Sequence, residues 1–224
     1  MRIGGFQKFS LIDYPQKVAA VIFTQGCEFR CPFCHNPDLV LPEKFFPPAD
    51  EKEVFKFLRK RQDQLTGVVV TGGEPTIHRD LPEFLENIKD LGYPVKLDTN
   101  GNNPQVLKTL IDKRAVDYIA MDIKTSFCRY AEATGVAVDV DRIRESIALI
   151  IDSGLVYHFR TTLVRRLISE EDLKEIVCAL SRAKKYLLQE FIAEQPILDE
   201  TLKDERIYSP EELGGFQKKY ERSL

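Results

Sequence analysis

With 224 residues, 43% of them hydrophobic and 30% charged, the chain has the composition of an ordinary globular protein and the length of one domain. Its net charge of −3 argues against nucleic acid as the main ligand, and the short basic clusters at residues 56–61 and 182–185 read as solvated helix faces. No stretch reaches the roughly 18 apolar residues that span a bilayer, and residues 1–8 lack the apolar core of a signal peptide, so the expected compartment is the cytoplasm.

Residues 18–24 are apolar and β-branched and read as a first strand. A loop with Cys27, Cys31 and Cys34 follows directly. After a connection punctuated by Pro42, Pro47 and Pro48, residues 51–65 read as a helix with Val54, Phe57, Leu58 and Leu65 on one face. Residues 68–71 form a short strand that stops at Gly72 and Gly73, and residues 81–91 a helix stopped by Gly92. A strand over 95–99 contains Asp98 and is closed by Asn100 and Gly101, with a helix over 104–113 behind it. Residues 118–123 are a strand ending near Asp122 and Lys124, residues 141–153 a helix, and residues 157–164 a strand carrying Arg160. Ser169 and Asp172 have capping-box spacing, residues 186–193 read as a sixth strand, and Ser209 followed by Pro210 opens a last helix.

Six units of strand then helix imply a parallel sheet with right-handed crossovers. The chemically interesting residues fall at the carboxyl ends of strands, where barrels of this construction place their active sites. Six units rather than eight predict a partial (β/α)6 barrel, with a doubly wound open sheet as the competing architecture. The chain is expected to be a single domain, with residues 1–17 as an N-terminal extension, 18–193 as the β/α core and 194–224 as a C-terminal segment.

Five cysteines, three of them clustered, do not read as a disulfide framework; reducing conditions favour metal or redox use. Three soft thiols at C-x3-C-x2-C spacing suit three irons of a [4Fe–4S] cluster and leave a fourth iron open. Taken alone, the same loop also reads as a zinc site of Cys27, Cys31, Cys34 and His35, and its last five residues as a haem attachment signature. Thr71-Gly72-Gly73-Glu74-Pro75 is the second motif: the glycines permit close backbone approach, and Glu74 supplies a fixed carboxylate suited to a ligand's ammonium.

With both motifs in place the chain resembles the radical S-adenosylmethionine (SAM) superfamily, and within it the activating enzymes of glycyl radical enzymes. Cys34-His35-Asn36-Pro37-Asp38 is similar to the pyruvate formate-lyase activating enzyme. The run Ser10-Leu11-Ile12-Asp13-Tyr14-Pro15 and the residues leading into Cys27 are most similar to activating proteins of anaerobic ribonucleoside-triphosphate reductase. The resemblance implies that Cys27, Cys31 and Cys34 ligate three irons and SAM the fourth. It implies Gly72, Gly73 and Glu74 around the methionine ammonium, Asp98, Asp122, Lys124 and Arg160 as further SAM-binding residues, and Phe33 near the adenine. The implied reaction is reductive cleavage of SAM to a 5′-deoxyadenosyl radical, which takes hydrogen from a glycine of a partner enzyme under anaerobic conditions. A low-potential donor such as flavodoxin or ferredoxin is the implied electron source.

The alternative within the superfamily is an enzyme acting on a small molecule or modified nucleoside. Glu28 stands where the activating enzymes have Asn, and the region around residues 194–196 lacks the histidine that pyruvate formate-lyase activating enzyme offers SAM. Cys128 has no assigned role, Cys178 is expected to be buried on a helix face, and His35 is expected to pack the loop.

Overall fold

The computed structural model describes residues 1–192, 194, 196–204 and 206–223, with the backbone alone at 222 and 223. In chain order the elements are β1 (Ile3–Ser10), β2 (Ala19–Thr24), α1 (Pro37–Val40), α2 (Glu51–Lys60), β3 (Gly67–Gly72), α3 (Leu81–Asp90), β4 (Val95–Thr99) and α4 (Pro104–Asp112). Then follow β5 (Tyr118–Asp122), α5 (Tyr130–Thr134), α6 (Val140–Asp152), β6 (Val156–Leu163), α7 (Glu170–Ala179), β7 (Lys185–Glu190), α8 (Pro210–Tyr220) and β8 (Arg222–Ser223). Contacts divide the chain into two compact units, one of residues 1–28, 38–99 and 103–120, the other of residues 29–37, 100–102 and 121 onward.

In the first unit, β2 and β3 pair in parallel from Ala19 opposite Gly67 to Thr24 opposite Gly72, and β3 pairs in parallel with β4. Val68, Val69 and Val70 are fully buried, as expected of a parallel strand covered on both faces. Helix α2 buries Val54, Phe55 and Leu58, and α3 buries Leu81, Phe84, Leu85 and Ile88; Phe55 and Phe84 meet edge to face at 5.3 Å. The sequence pattern runs α2 to residue 65, but the chain leaves the helix at Arg61. Turn residues then lead to Thr66, whose N–H donates to Val18 O at 2.8 Å and starts β3.

The longer of the two strands missing from the sequence reading is β1, which lies in the expected extension and pairs antiparallel with β2. Gly4 and Gly5 and an irregular pattern conceal it: its register shifts twice, and only Ile3 and Ser10 are buried.

In the second unit β6 and β7 pair in parallel, and the two-residue β8 adds an antiparallel edge to β7. The expected end of the sixth strand at Ala193 lies outside the described residues. The predicted capping box forms, Ser169 with Asp172, and a second one joins Ser209 with Glu212 at the start of α8. Replacing Ser169 with alanine should therefore cost about 1 kcal/mol, read as a lowered urea midpoint with unchanged slope. No described helix is long and apolar enough to cross a membrane.

Candidate active site

In the first unit, the turn after β3 is bound to the chain just before Cys27 by backbone alone. Gly73 N–H donates to Thr24 O at 2.9 Å, Glu74 N–H to Gly26 O at 2.7 Å, and Gly26 N–H to Leu39 O at 2.7 Å. Both glycines are sterically required. Gly72 has φ +117°, and a Cβ there would lie 2.3 Å from Thr24 N; a Cβ on Gly73 would lie 2.0 Å from Gly26 O. The close approach that these glycines permit is thus to the residues that deliver Cys27.

Glu74 is only 1% exposed, although its side chain is a carboxyl group. Its Oε1 accepts from Thr76 N–H at 3.0 Å, Thr76 Oγ1 at 2.6 Å and Thr99 Oγ1 at 2.8 Å. The carboxylate is fixed, as expected, and its Oε1 is held within the protein. Thr99 follows Asp98 at the end of β4, so the Gly-Gly-Glu turn and the end of β4 are joined through this atom.

Glu28, the acidic residue beside Cys27, belongs to the same network. Asn103 Nδ2 donates to Glu28 Oε1 at 3.2 Å and to Thr76 Oγ1 at 3.0 Å, and Thr76 passes the chain to Glu74. Sequence reasoning singled out neither Thr76 nor Asn103. Their only signals are positional: Thr76 stands just after the Gly-Gly-Glu-Pro turn, and Asn103 just before Pro104 at the start of α4.

The second unit holds Cys31 and Cys34 in a loop tied at three places. Arg30 N–H donates to Thr134 O at 2.7 Å, where Gly135 (φ +67°) caps α5; a Cβ there would lie 2.3 Å from Arg30 O. Asp199 N–H donates to Pro32 O at 2.9 Å and Leu198 N–H to Cys34 O at 3.1 Å. His35 Nε2 lies 2.9 Å from Ile192 O and its ring packs on Phe191, so His35 fills the loop-packing role expected of it. Cys31 is buried and Cys34 half-buried, and burial pushes the Cys31 thiol up to about 11, with Lys124 opposing. Burial raises Cys34 as well. Among the described residues no group of three or more His, Cys, Asp or Glu side chains is placed to hold a metal ion.

Asp122 ends β5, and its carboxylate takes Lys124 Nζ at 2.9 Å and Arg160 Nε in an ion pair. Ile123, between Asp122 and Lys124 in sequence, is buried, and its N–H donates to Arg160 O at 2.9 Å. Burial alone would raise the Asp122 carboxyl, but the Arg160 and Lys124 charges outweigh it and hold it well below the usual carboxylate range. Burial likewise opposes the charge on Lys124, which Asp122 more than restores, moving it upward. Lys124 Nζ stands 5.7 Å from the centre of the buried Phe33 ring.

A carboxyl depressed in the folded state contributes stability that is complete above its unfolded value, near 4, and lost as pH falls toward the folded value. Arg160→Met should therefore cost about 2 kcal/mol at pH 7. It should also shrink the difference in urea midpoint between pH 7 and pH 3; an acid response identical to that of the unaltered protein would refute the pairing.

One expectation is overturned. Cys178 is exposed, because α7 buries Asp172, Leu173 and Ile176, and position 178 lies off that face. Cys128 is exposed too, its Sγ 3.5 Å from Ser126 Oγ and 3.9 Å from Glu175 Oε2.

Each unit carries part of this chemistry: Cys27 and the Gly-Gly-Glu turn lie in the first, and Cys31, Cys34 and the Asp122, Lys124 and Arg160 cluster in the second. The radical SAM superfamily model matches residues 21–180, and the chain belongs to that superfamily. The α/β fold agrees: SAM-bound SuiB of Streptococcus suis superposes with a TM-score of 0.68 at 18% identity, over 89% of this chain and 46% of that one. In sequence, the chain is 35% identical over 230 residues to a Methanocaldococcus jannaschii protein assigned by name to the glycyl-radical enzyme activating enzymes, covering 97% of this chain and 92% of the relative. It is 33% identical over 164 residues to a Saccharolobus solfataricus protein assigned by name as a GTP 3′,8-cyclase, covering 72% of this chain and about half (52%) of that protein.

Superfamily membership makes this chain an enzyme that uses a [4Fe–4S] cluster and SAM. The donor chemistry fits: three thiols in one short loop, one ligand short of a complete cluster, in a chain that also carries the Gly-Gly-Glu turn.

Proposed function

We propose that the protein activates a glycyl radical enzyme by removing a hydrogen atom from a glycine of that partner, with anaerobic ribonucleotide reductase as the partner. The observation that carries this reading is the end-to-end similarity to the M. jannaschii activating-enzyme relative. The cyclase similarity covers 72% of this chain and 52% of that protein, against 97% and 92% for the activating-enzyme relative.

Bound together, the cluster and SAM supply one-electron cleavage chemistry strong enough to break an unactivated C–H bond. This chain's residues bind and orient them. Cys27, Cys31 and Cys34 hold three irons, with proton release from the buried thiols on loading. Gly72, Gly73 and Glu74 form the turn that receives the amino-acid end of SAM. Asp98, Asp122, Lys124 and Arg160 supply the charges that place its carboxylate and ribose, and Phe33 lies near the adenine. The whole chain forms one radical SAM domain with residues 18–193 as its core. The electron comes from a low-potential donor of the flavodoxin or ferredoxin kind, in the anaerobic cytoplasm.

The test is anaerobic reconstitution with iron and sulfide, then dithionite and SAM. Formation of 5′-deoxyadenosine is the expected result, and its absence with a fully loaded cluster would sink the assignment. Arg160→Gln should weaken SAM binding while leaving the iron–sulfur absorbance in place.

A further inference from the structure

Lys96 is a buried lysine that the reading above leaves unused. Its side chain is 3% exposed, it sits in the middle of β4, and it forms an ion pair with Asp98, itself 12% exposed. Strand alternation puts residues 96 and 98 on one side of the sheet. The register sets Val69 beside Lys96, and Thr71 Oγ1 donates to Asp98 Oδ2 at 3.4 Å. Val69 belongs to an apolar cluster with Tyr14, Ala19, Val21 and Tyr118, so the lysine stem lies along the hydrophobic side and its ammonium ends at the carboxyl end of the strand.

A buried ion pair is poor stabilisation: desolvating both charges offsets most of their attraction, and apolar side chains of equal volume serve a core as well or better. Lys96 therefore needs a reason other than packing, and the atom it holds supplies one. Asp98 is the strand-end carboxylate that the proposed function directs at SAM.

We infer that Lys96 is a positioning residue: through its buried ammonium it fixes the rotamer of Asp98 for SAM binding. This inference rests on Asp98 belonging to the SAM site. Lys96 touches no substrate atom; Asp98 and Thr71 transmit its effect.

The experiment is a double-substitution cycle on the reconstituted, unreduced holoenzyme, reading SAM dissociation constants by equilibrium binding, with cluster content and Tm measured alongside. Lys96→Met should weaken SAM about tenfold, the scale of coupling between contacting residues, with cluster content unchanged and Tm lowered because Asp98 loses its buried partner. Lys96→Arg should recover most of the affinity. In an Asp98→Asn background, Lys96→Met should add nothing. Unchanged affinity in Lys96→Met beside a weakened Asp98→Asn overturns the inference and leaves the site reading standing. Equal losses in both backgrounds overturn it as well. If Asp98→Asn binds SAM normally, it is the placement of Asp98 in the site that has failed, and the inference falls with it.

Discussion

Gly73→Ala is expected to cost about 3 kcal/mol of stability and to weaken SAM binding more than tenfold, the upper range for overpacking against atoms that cannot yield. The added Cβ would meet Gly26 O at 2.0 Å, Gly26 C at 2.8 Å and Leu39 O at 3.2 Å, all of them backbone. No rotamer change relieves those contacts. The strand end must separate, breaking the bond from Glu74 N–H to Gly26 O and shifting the residue that precedes Cys27. Gly215 in α8 is the control, since a Cβ there meets nothing within 4 Å. Gly215→Ala should be neutral or stabilising by up to about 1 kcal/mol, as glycine in a helix interior is costly. Denaturant midpoints and SAM binding isotherms on the pair settle the matter, and equal behaviour of the two variants would refute the steric argument.

Cys34→Ala should abolish SAM cleavage altogether while leaving the fold in place. Alanine keeps both backbone bonds at this position, the N–H to Cys31 O at 3.0 Å and the carbonyl to Leu198 N–H at 3.1 Å. What disappears is one of three soft ligands, and a cluster held by two is not retained. Cys178→Ala, at an exposed position, should keep full iron and full activity. Iron and sulfide content, circular dichroism and 5′-deoxyadenosine yield distinguish the two; retained cleavage in Cys34→Ala would remove the cluster assignment.

The parallel core was readable in the sequence because its strands are continuous apolar runs, such as Val68-Val69-Val70, each cut off by a chemical motif. Gly72, Gly73, Asp98 and Asp122 were legible for the same reason: each stands at a strand end, where periodicity stops and chemistry begins. The pairing of Asp122 with Arg160 was visible only as two charges in separate strands; the fold brings them into an ion pair. Glu28 looked like an isolated oddity, because its partner Asn103 is 75 residues away and belongs to no motif. β1 escaped notice because a glycine pair and a shifting register erase alternation. Cys178 was misjudged because one helix turn can be read as buried from either of two adjacent faces, and neighbours in space choose between them.

The central claim is hydrogen abstraction from a partner's glycine, and electron paramagnetic resonance tests it most directly. The reconstituted enzyme is mixed anaerobically with SAM, reductant and anaerobic ribonucleotide reductase. A glycyl-radical doublet should appear on the partner, growing with 5′-deoxyadenosine and absent without SAM or with Cys34→Ala enzyme. SAM cleavage at full rate with no doublet on the partner would contradict the account.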